Sequence, residues 1–226
     1  MKHYSNLRVT INTAMTVDGK IATISGDSAI SSKQDLKRIH KLRSSVDAII
    51  VGISTVLVDD PKLTVRLVKK KRKEDPVRII IDSTGRIPLC SKLLKTAYKV
   101  KTIVAVTKRA PNYKIHEIRN TGAIVIIAGT EMVDLKEVFL NLKKMGVRKI
   151  LVEGGGELNW SLLSLGIVDE LIVTIAPRIV GGRMAATLVE GDGYTKISEG
   201  INMKLKNVLR QNDGELVLYY RISPME

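Results

Sequence analysis

Cysteine, histidine and aromatic residues are all scarce in this chain of 226 residues. Its one cysteine, Cys90, excludes an internal disulfide and favours a reducing compartment. Its three histidines are far apart and lack the spacing of metal ligands, so we predict no metal site. With one Trp and one Phe, the core must be built from Ile, Val and Leu, which favours a sheet buried on both faces.

Long apolar runs are missing as well. None approaches the ~20 residues of a membrane span, and the N-terminal residues lack the apolar core of a signal peptide. We therefore expect a cytoplasmic protein with no membrane partner. Three catalytic signatures are also absent: the G-x-S-x-G elbow, the G-x-x-x-x-G-K-S/T loop, and the His-x-Glu with Pro-Cys-x-x-Cys of zinc deaminases.

Positive charge is in excess, with a formal net charge of +14. One block of the chain is entirely basic: Lys69, Lys70, Lys71, Arg72 and Lys73. Surfaces that bind nucleic acid usually interleave such charges with aromatic residues or glycines. This block has neither, so we interpret it as a solvated loop and predict no nucleic-acid partner.

Short apolar strands alternate with amphipathic helices along most of the chain. The predicted strands cover residues 7–14, 46–51, 63–68, 77–81, 102–106, 123–127, 149–152, 170–176, 203–211 and 215–222. The predicted helices cover about 32–44, 112–120 and 135–145. Asn212-Asp213-Gly214 predicts a hairpin between the last two strands. We expect one α/β domain over residues 1–226, with a mostly parallel central sheet flanked by helices and a C-terminal antiparallel hairpin.

Small polar residues or glycines follow several of these strands. They include Asp18-Gly19-Lys20, the segment from Thr55 to Pro61, Ser83-Thr84-Gly85, and the run Gly154-Gly155-Gly156. Each alone is explained by a turn. Together they favour a nucleotide-type site, because ligands of open α/β sheets bind where parallel strands end. The glycine run suits a diphosphate, although it lacks the last glycine of the G-x-G-x-x-G fingerprint.

The same segments carry a family resemblance that spans residues 7–222. The motifs are Met15-Thr16-Val17-Asp18-Gly19-Lys20-Ile21-Ala22, the run from Val51 to Arg66, Ile81-Asp82-Ser83, Leu151-Val152-Glu153-Gly154-Gly155-Gly156 and Ala176-Pro177. In this order they resemble the riboflavin-biosynthesis pyrimidine reductases. The resemblance implies a dihydrofolate-reductase-like fold, NADPH as cofactor with NADH as a possibility, and a homodimer.

In many bacteria such a reductase is fused behind a zinc deaminase domain, whose residues are absent from this chain. The sequence therefore resembles the stand-alone type. The implied reaction transfers a hydride to C1 of the ribosyl group of 2,5-diamino-6-(ribosylamino)-4(3H)-pyrimidinone 5′-phosphate. Three alternatives stay open: the deaminated 5-amino-6-(5-phosphoribosylamino)uracil as substrate, dihydrofolate reduction, and a nucleotide- or RNA-binding module.

Site residues follow from the resemblance position by position. It implies cofactor contacts at Ala14, Ile30, Thr55, Asp59, Ser83, Thr84, Gly154, Gly155, Gly156, Glu157 and Leu158. It implies substrate contacts at Ser28, Arg43, Leu63, Arg66 and Glu153. The two arginines suit a ribose phosphate, because a guanidinium donates two parallel hydrogen bonds to phosphate oxygens. Asp59, Lys20 and Glu153 are the candidate proton donors, and the sequence does not rank them.

Overall fold

A computed structural model of the protein describes residues 6–70 and 74–223. These residues form two compact units: unit 1 takes residues 6–7, 40–70 and 74–151, and unit 2 takes residues 8–39 and 152–223. The strands are β1 (Arg8–Thr16), β2 (Ala48–Gly52), β3 (Val77–Ile81), β4 (Thr102–Val106), β5 (Ile124–Ile127), β6 (Lys149–Val152), β7 (Glu170–Ala176), β8 (Met203–Arg210) and β9 (Leu216–Ile222). The α-helices are α1 (Lys33–Arg43), α2 (Ile53–Asp59), α3 (Lys92–Lys95), α4 (Asn112–Asn120), α5 (Leu135–Lys144) and α6 (Gly156–Ser164). That residues 1–226 act as a single reductase domain stays a prediction.

Unit 1 is built on parallel strands that alternate with helices along the chain. Its strand order is β5-β4-β3-β2-β6, and β2, β3, β4 and β5 pair in parallel register. β4 is buried throughout and β2 nearly so, as expected for strands in a sheet covered on both faces. Because the strands are parallel, the segments that follow β2 and β3 leave the sheet at the same edge.

Branched aliphatic side chains form the core of unit 1. Ile49, Ile80 and Val104 have no exposed surface, and Leu93 packs in the same cluster. Burying each such side chain stabilises the fold by roughly 1.5–3 kcal/mol. The scarcity of aromatic residues is therefore offset by Ile, Val and Leu, as the composition predicted.

Unit 2 combines one parallel and two antiparallel strand pairs. Its order is β1-β7-β9-β8, with β1 parallel to β7 and β9 antiparallel to both β7 and β8. Gly214 in the β8–β9 turn has φ +86°, the left-handed conformation that favours glycine. The predicted α/β architecture, with mostly parallel strands and a C-terminal antiparallel hairpin, is therefore confirmed.

One predicted strand is wrong. Residues 63–68 form a loop, because Leu63 adopts φ +47° and breaks the extended backbone. The N–H groups of Val65 and Arg66 donate to the side chains of Asp75 and His40 instead of to a neighbouring strand. The alternation of apolar and polar residues there indicates burial of Leu63 and Val65 in a loop.

The basic block is described only in part. Lys69 and Lys70 are exposed, and the Nζ of Lys70 lies 2.6 Å from Oδ2 of Asp75. Lys71, Arg72 and Lys73 lie outside the described residues. Across the described ranges, no helix is both long and apolar enough to cross a membrane.

Candidate active site

Helix α2 carries two of the predicted cofactor residues. It follows β2 directly, and Thr55 and Asp59 lie four residues apart on one of its faces. Thr55 is half-buried and Asp59, the last helical residue, is exposed. Asp60 then ends the helix at φ 40°, and its N–H donates to the carbonyl of Val56 at 3.0 Å. The helical turn that brings Thr55 and Asp59 to one face was not among the predicted helices.

The two predicted phosphate-binding arginines meet at Thr64. The Nη1 of Arg43 donates to the carbonyl oxygen of Thr64 at 3.2 Å, and the Nη1 of Arg66 donates to its Oγ1 at 2.8 Å. Arg43 is half-buried at the end of α1, whereas Arg66 is exposed on the loop. Two guanidinium groups thus converge on one residue of unit 1, although Arg43 and Thr64 are 21 residues apart in sequence.

Leu63, a predicted substrate contact, is 1% exposed and belongs to the core of unit 1. Its side chain packs with Val56 and Ile87 in that core cluster. A substrate could therefore meet only the backbone at this position. Leu63 adopts a left-handed backbone conformation, which turns the chain just before Thr64 and Arg66.

The segment after β3, which includes Ser83 and Thr84, is held by several hydrogen bonds. The carboxylate of Asp82 is fully buried and accepts a hydrogen bond from the N–H of Ile87 at 2.8 Å. Thr107 donates from its N–H and its hydroxyl to the carbonyl of Ser83, at 3.0 and 2.8 Å. Ser83 and Thr84 themselves are half-buried. Their backbone is fixed while part of each side chain remains accessible.

In unit 2 the glycine run makes the turn into α6. Gly154 has φ +91° and Gly155, the N-cap, has φ 55° and ψ 151°, so both adopt backbone conformations that favour glycine. No side chain caps the helix, and nothing lies within 4 Å of the position a Cβ would take on Gly154. An uncapped helix start next to open space can receive an anionic group.

Gly156 has a different role, because it lies against residues 187–190, here called the strap. The N–H of Glu190 donates to the carbonyl of Gly156 at 3.2 Å, and the Nδ2 of Asn159 donates to the carbonyl of Leu188 at 2.8 Å. A side chain on Gly156 would collide with Thr187 and Glu190. Of the other predicted cofactor residues on α6, Glu157 is exposed and Leu158 is buried. Leu158 can therefore offer mainly its backbone.

The turn after β1 also holds the strap and the loop that precedes it. The Nζ of Lys20 donates to the carbonyl of Ala185 at 3.1 Å, and the backbones of Lys20 and Thr187 form an isolated antiparallel β-bridge. Asp18 accepts from the hydroxyl of Thr16 at 2.6 Å and from the N–H of Gly181 at 2.7 Å. The hydrogen bond from Thr16, supported by that from Gly181, lowers the pKa of the Asp18 carboxyl below its usual value. Asp18 and Lys20 thus each contact residues of the loop that precedes the strap.

The remaining predicted residues of unit 2 lie on β1 and in less regular segments. Ala14 is half-buried on β1, opposite Thr174 of β7. Ser28 is exposed, and its carbonyl accepts from the N–H of Ile30 at 2.8 Å, while Glu153 is half-buried just before the glycine run. Within residues 6–70 and 74–223, no three His, Cys, Asp or Glu side chains gather closely enough to hold a metal ion.

Comparison with known proteins gives the family. Residues 8–217 match the RibD C-terminal domain family. The protein belongs to this family. It is 44% identical, over 93% of its length and 96% of the relative's, to the 2,5-diamino-6-ribosylamino-4(3H)-pyrimidinone 5′-phosphate reductase of Methanothermobacter thermautotrophicus.

Two solved structures place the fold of this RibD C-terminal domain protein. Acinetobacter baumannii RibD superimposes with a TM-score of 0.81 at 26% identity, covering 96% of this chain and 58% of that chain. The dihydrofolate reductase of Enterococcus faecalis gives a TM-score of 0.52 at 13% identity, covering 95% of this chain and 96% of that chain. The latter likeness concerns the fold alone. The predicted dihydrofolate-reductase-like fold is confirmed.

Sequence reasoning missed several residues that hold the site of this RibD C-terminal domain protein in place. In unit 1 these are His40, which accepts from the N–H of Arg66, and Arg78, which donates to the carbonyl of Lys62. In unit 2 they are Asn159 and the strap. One signal was available in the sequence: His40 lies three residues before Arg43 on a predicted helix, a spacing that places both side chains on one face.

Proposed function

We propose that this protein is an oxidoreductase of riboflavin biosynthesis. It reduces the ribosyl group of 2,5-diamino-6-(ribosylamino)-4(3H)-pyrimidinone 5′-phosphate to a ribityl group, with a nicotinamide cofactor. The observation that carries the proposal is the 44% identity to the Methanothermobacter thermautotrophicus reductase, which extends over 93% of this chain. A cytoplasmic location and a homodimer are further parts of the proposal that the family resemblance implies.

The proposed cofactor is NADPH, and several observations support its fit. In unit 1, Thr55 and Asp59 share a face of α2, and the carbonyl of Ser83 is held by two hydrogen bonds from Thr107. In unit 2, the open space beside Gly154 and the uncapped start of α6 suit the cofactor's diphosphate. When bound, the nicotinamide supplies a hydride, and the protein supplies binding and orientation.

For the substrate, we assign the phosphate to Arg43 and Arg66. Their convergence on Thr64 supports this role, because two guanidinium groups can together surround a phosphate. Ser28 and Glu153 are proposed to contact the substrate, Glu153 by accepting hydrogen bonds from the amino groups of the pyrimidine. The burial of Leu63 limits its proposed contact to the backbone.

Reduction at C1 also requires a proton at the departing ring oxygen or the imine nitrogen. Asp59, Lys20 and Glu153 are the proposed candidates. The contact of Lys20 with the carbonyl of Ala185 predicts that Lys20→Met will loosen the loop that precedes the strap as well as change turnover. Asp59→Asn and Glu153→Gln test the other two candidates, because each replaces a carboxyl group that could donate the proton, and kcat should fall in the variant that lacks the true donor.

The proposal is tested by assaying the diamino and deaminated substrates side by side, each with NADPH and with NADH. We expect oxidation of the nicotinamide to depend on the diamino substrate. Preference for the deaminated compound would move the enzyme to the later step. Turnover of dihydrofolate alone, or salt-sensitive RNA binding without turnover, would contradict the proposal.

The phosphate assignment has its own test in Arg66→Met. We expect this change to raise KM for the phosphorylated substrate at least about tenfold, with little effect on the dephosphorylated compound or on KM for NADPH. Arg119→Met, at an exposed arginine of α4, is the matched control. Equal KM values for Arg66→Met and the wild type would contradict the assignment.

A further inference from the structure

A buried histidine contacts the loop of residues 63–68 at Arg66. His40 occupies the last turn of α1 and is 3% exposed. Its Nδ1 accepts the backbone N–H of Arg66 at 2.9 Å and lies 3.5 Å from the N–H of Leu67. A ring nitrogen that accepts a hydrogen bond carries no proton, so the neutral imidazole has its proton on Nε2.

The loop depends on such side-chain contacts because it has no strand partners. The N–H of Val65 donates to Oδ1 of Asp75 at 2.9 Å, and the carbonyl of Thr64 accepts from Arg43 at 3.2 Å. The N–H of Arg66 is held by His40, which is 26 residues away in sequence. Three consecutive loop residues are thus each fixed by a different side chain.

His40 and Arg43 act on the loop from the same helix face. They are three residues apart on α1, the spacing that brings side chains together. Arg43 contacts the carbonyl of Thr64, and His40 contacts the N–H of Arg66. The backbone of Thr64 and the backbone of Arg66 are therefore both held by side chains from the end of α1.

We propose that His40 is a positioning residue, which fixes the backbone of Arg66 so that its guanidinium is held where the substrate phosphate binds. This inference rests on the proposed function. His40 contacts no substrate in this scheme and acts through Arg66. Without the imidazole acceptor, the Arg66 segment samples other conformations, and the phosphate must order it on binding.

The test compares three replacements of His40. His40→Leu removes the acceptor at similar size. His40→Asn places its Oδ1 at the same number of bonds from Cβ as Nδ1, so it can accept from the N–H of Arg66. His40→Gln places its oxygen one bond further out. His116→Leu, at an exposed histidine of α4 in the same unit, is the matched control.

We expect His40→Leu to raise KM for the phosphorylated substrate about tenfold, the size expected when the N–H of Arg66 loses its acceptor. Its kcat and its KM for NADPH should stay within about twofold of the wild type, because the change acts on phosphate binding alone. His40→Asn should restore KM, and His40→Gln should not. Hydrogen exchange of residues 64–67 in the ligand-free protein should rise in His40→Leu and return in His40→Asn.

An active wild-type enzyme with an unchanged KM in His40→Leu would overturn the inference. Equal impairment of His40→Asn and His40→Leu would also overturn it. That result would mean that restoring an acceptor for the N–H of Arg66 does not help, as expected if His40 only packs. An equal rise in KM for the dephosphorylated substrate would also overturn it. Absence of turnover by the wild type would instead contradict the proposed function, and the exchange measurement would still test the contact with Arg66.

Discussion

Gly156 and Glu190 pack so closely that a Cβ on Gly156 would lie 2.7 Å from the Cγ of Glu190. The same Cβ would lie 2.7 Å from the carbonyl oxygen of Thr187. The third glycine of the run is therefore required by the strap, whereas Gly154 faces open space. One sequence motif thus combines a glycine beside open space with a glycine that packing requires.

We predict that Gly156→Ala destabilises the protein by about 1–3 kcal/mol through overpacking. A helix with alanine is ordinarily more stable than one with glycine by up to about 1 kcal/mol. A loss of unfolding free energy in Gly156→Ala would therefore indicate the collision with the strap. Urea unfolding followed by circular dichroism measures it. An unchanged or increased free energy of unfolding would mean that the strap can move away.

The double variant Gly156→Ala with Glu190→Ala separates the two contacts. Removing the flexible Glu190 side chain should recover part of the lost stability. The carbonyl of Thr187 belongs to the backbone and stays in place, so recovery should be incomplete. Full recovery would assign the whole cost to Glu190.

A second prediction concerns Arg78, which is 1% exposed inside unit 1. Its guanidinium donates to Oγ1 of Thr102 at 2.6 Å, to the carbonyls of Leu93 and Val100 at 3.0 Å each, and to the carbonyl of Lys62 at 3.4 Å. Burial lowers its pKa to about 10, which leaves it protonated at neutral pH. A buried cation is thus held by neutral acceptors.

Lysine cannot reproduce this set of donors, so Arg78→Lys should lower the free energy of unfolding by about 3 kcal/mol. Arg119→Lys, at an exposed position of α4, should have no measurable effect. Urea denaturation of both variants checks the prediction. A loss of similar size in both would show that the buried network contributes nothing specific.

Features set by near neighbours in sequence were predictable. The helix predicted over about 32–44 begins with a local cap, because the N–H of Asp35 donates to Oγ of Ser32 at 3.1 Å. The Asn212-Asp213-Gly214 hairpin and the exit of α5 at Gly146, with φ +86°, likewise follow from local conformational preferences. Such contacts span a few residues, so a pattern of residue types is enough to identify them.

Features set by packing between distant segments were not predictable. The strand expected at residues 63–68 failed because one alternating pattern fits both a strand and a loop pinned by side chains. The partners of that loop, His40 and Asp75, are 26 and 10 residues away from Arg66 and Val65. The burial of Leu63 and the contact of Gly156 with the strap also depend on tertiary structure. The site roles implied by resemblance stay predictions.

A third prediction concerns the buried carboxylate of Glu215, which holds the start of α1. Its two oxygens accept from the N–H and the hydroxyl of Ser32, both at 2.7 Å. Glu215→Gln replaces one acceptor by a donor and should cost about 1–3 kcal/mol in unfolding free energy. Glu137→Gln, at an exposed position of α5, is the control. Equal small effects would show that Ser32 caps the helix without help.

The last prediction uses the lowered pKa of Asp18. The carboxyl is held in its charged form first by the hydroxyl of Thr16 and then by the N–H groups of Gly181 and Val180. The stabilisation is present above the ordinary pKa of 3.8 and is lost as pH falls through the lower value of the folded state.

Asp18→Asn should therefore lower the free energy of unfolding at neutral pH, and its difference from the wild type should shrink as the wild-type carboxyl protonates. Urea unfolding at a series of pH values measures the difference. Asp192→Asn, at an exposed position beyond the strap, is the matched control. A difference between Asp18→Asn and the wild type that stays constant down to the lowest pH would mean that the Asp18 carboxylate contributes packing or shape, and no charge-dependent anchoring of residues 180–181.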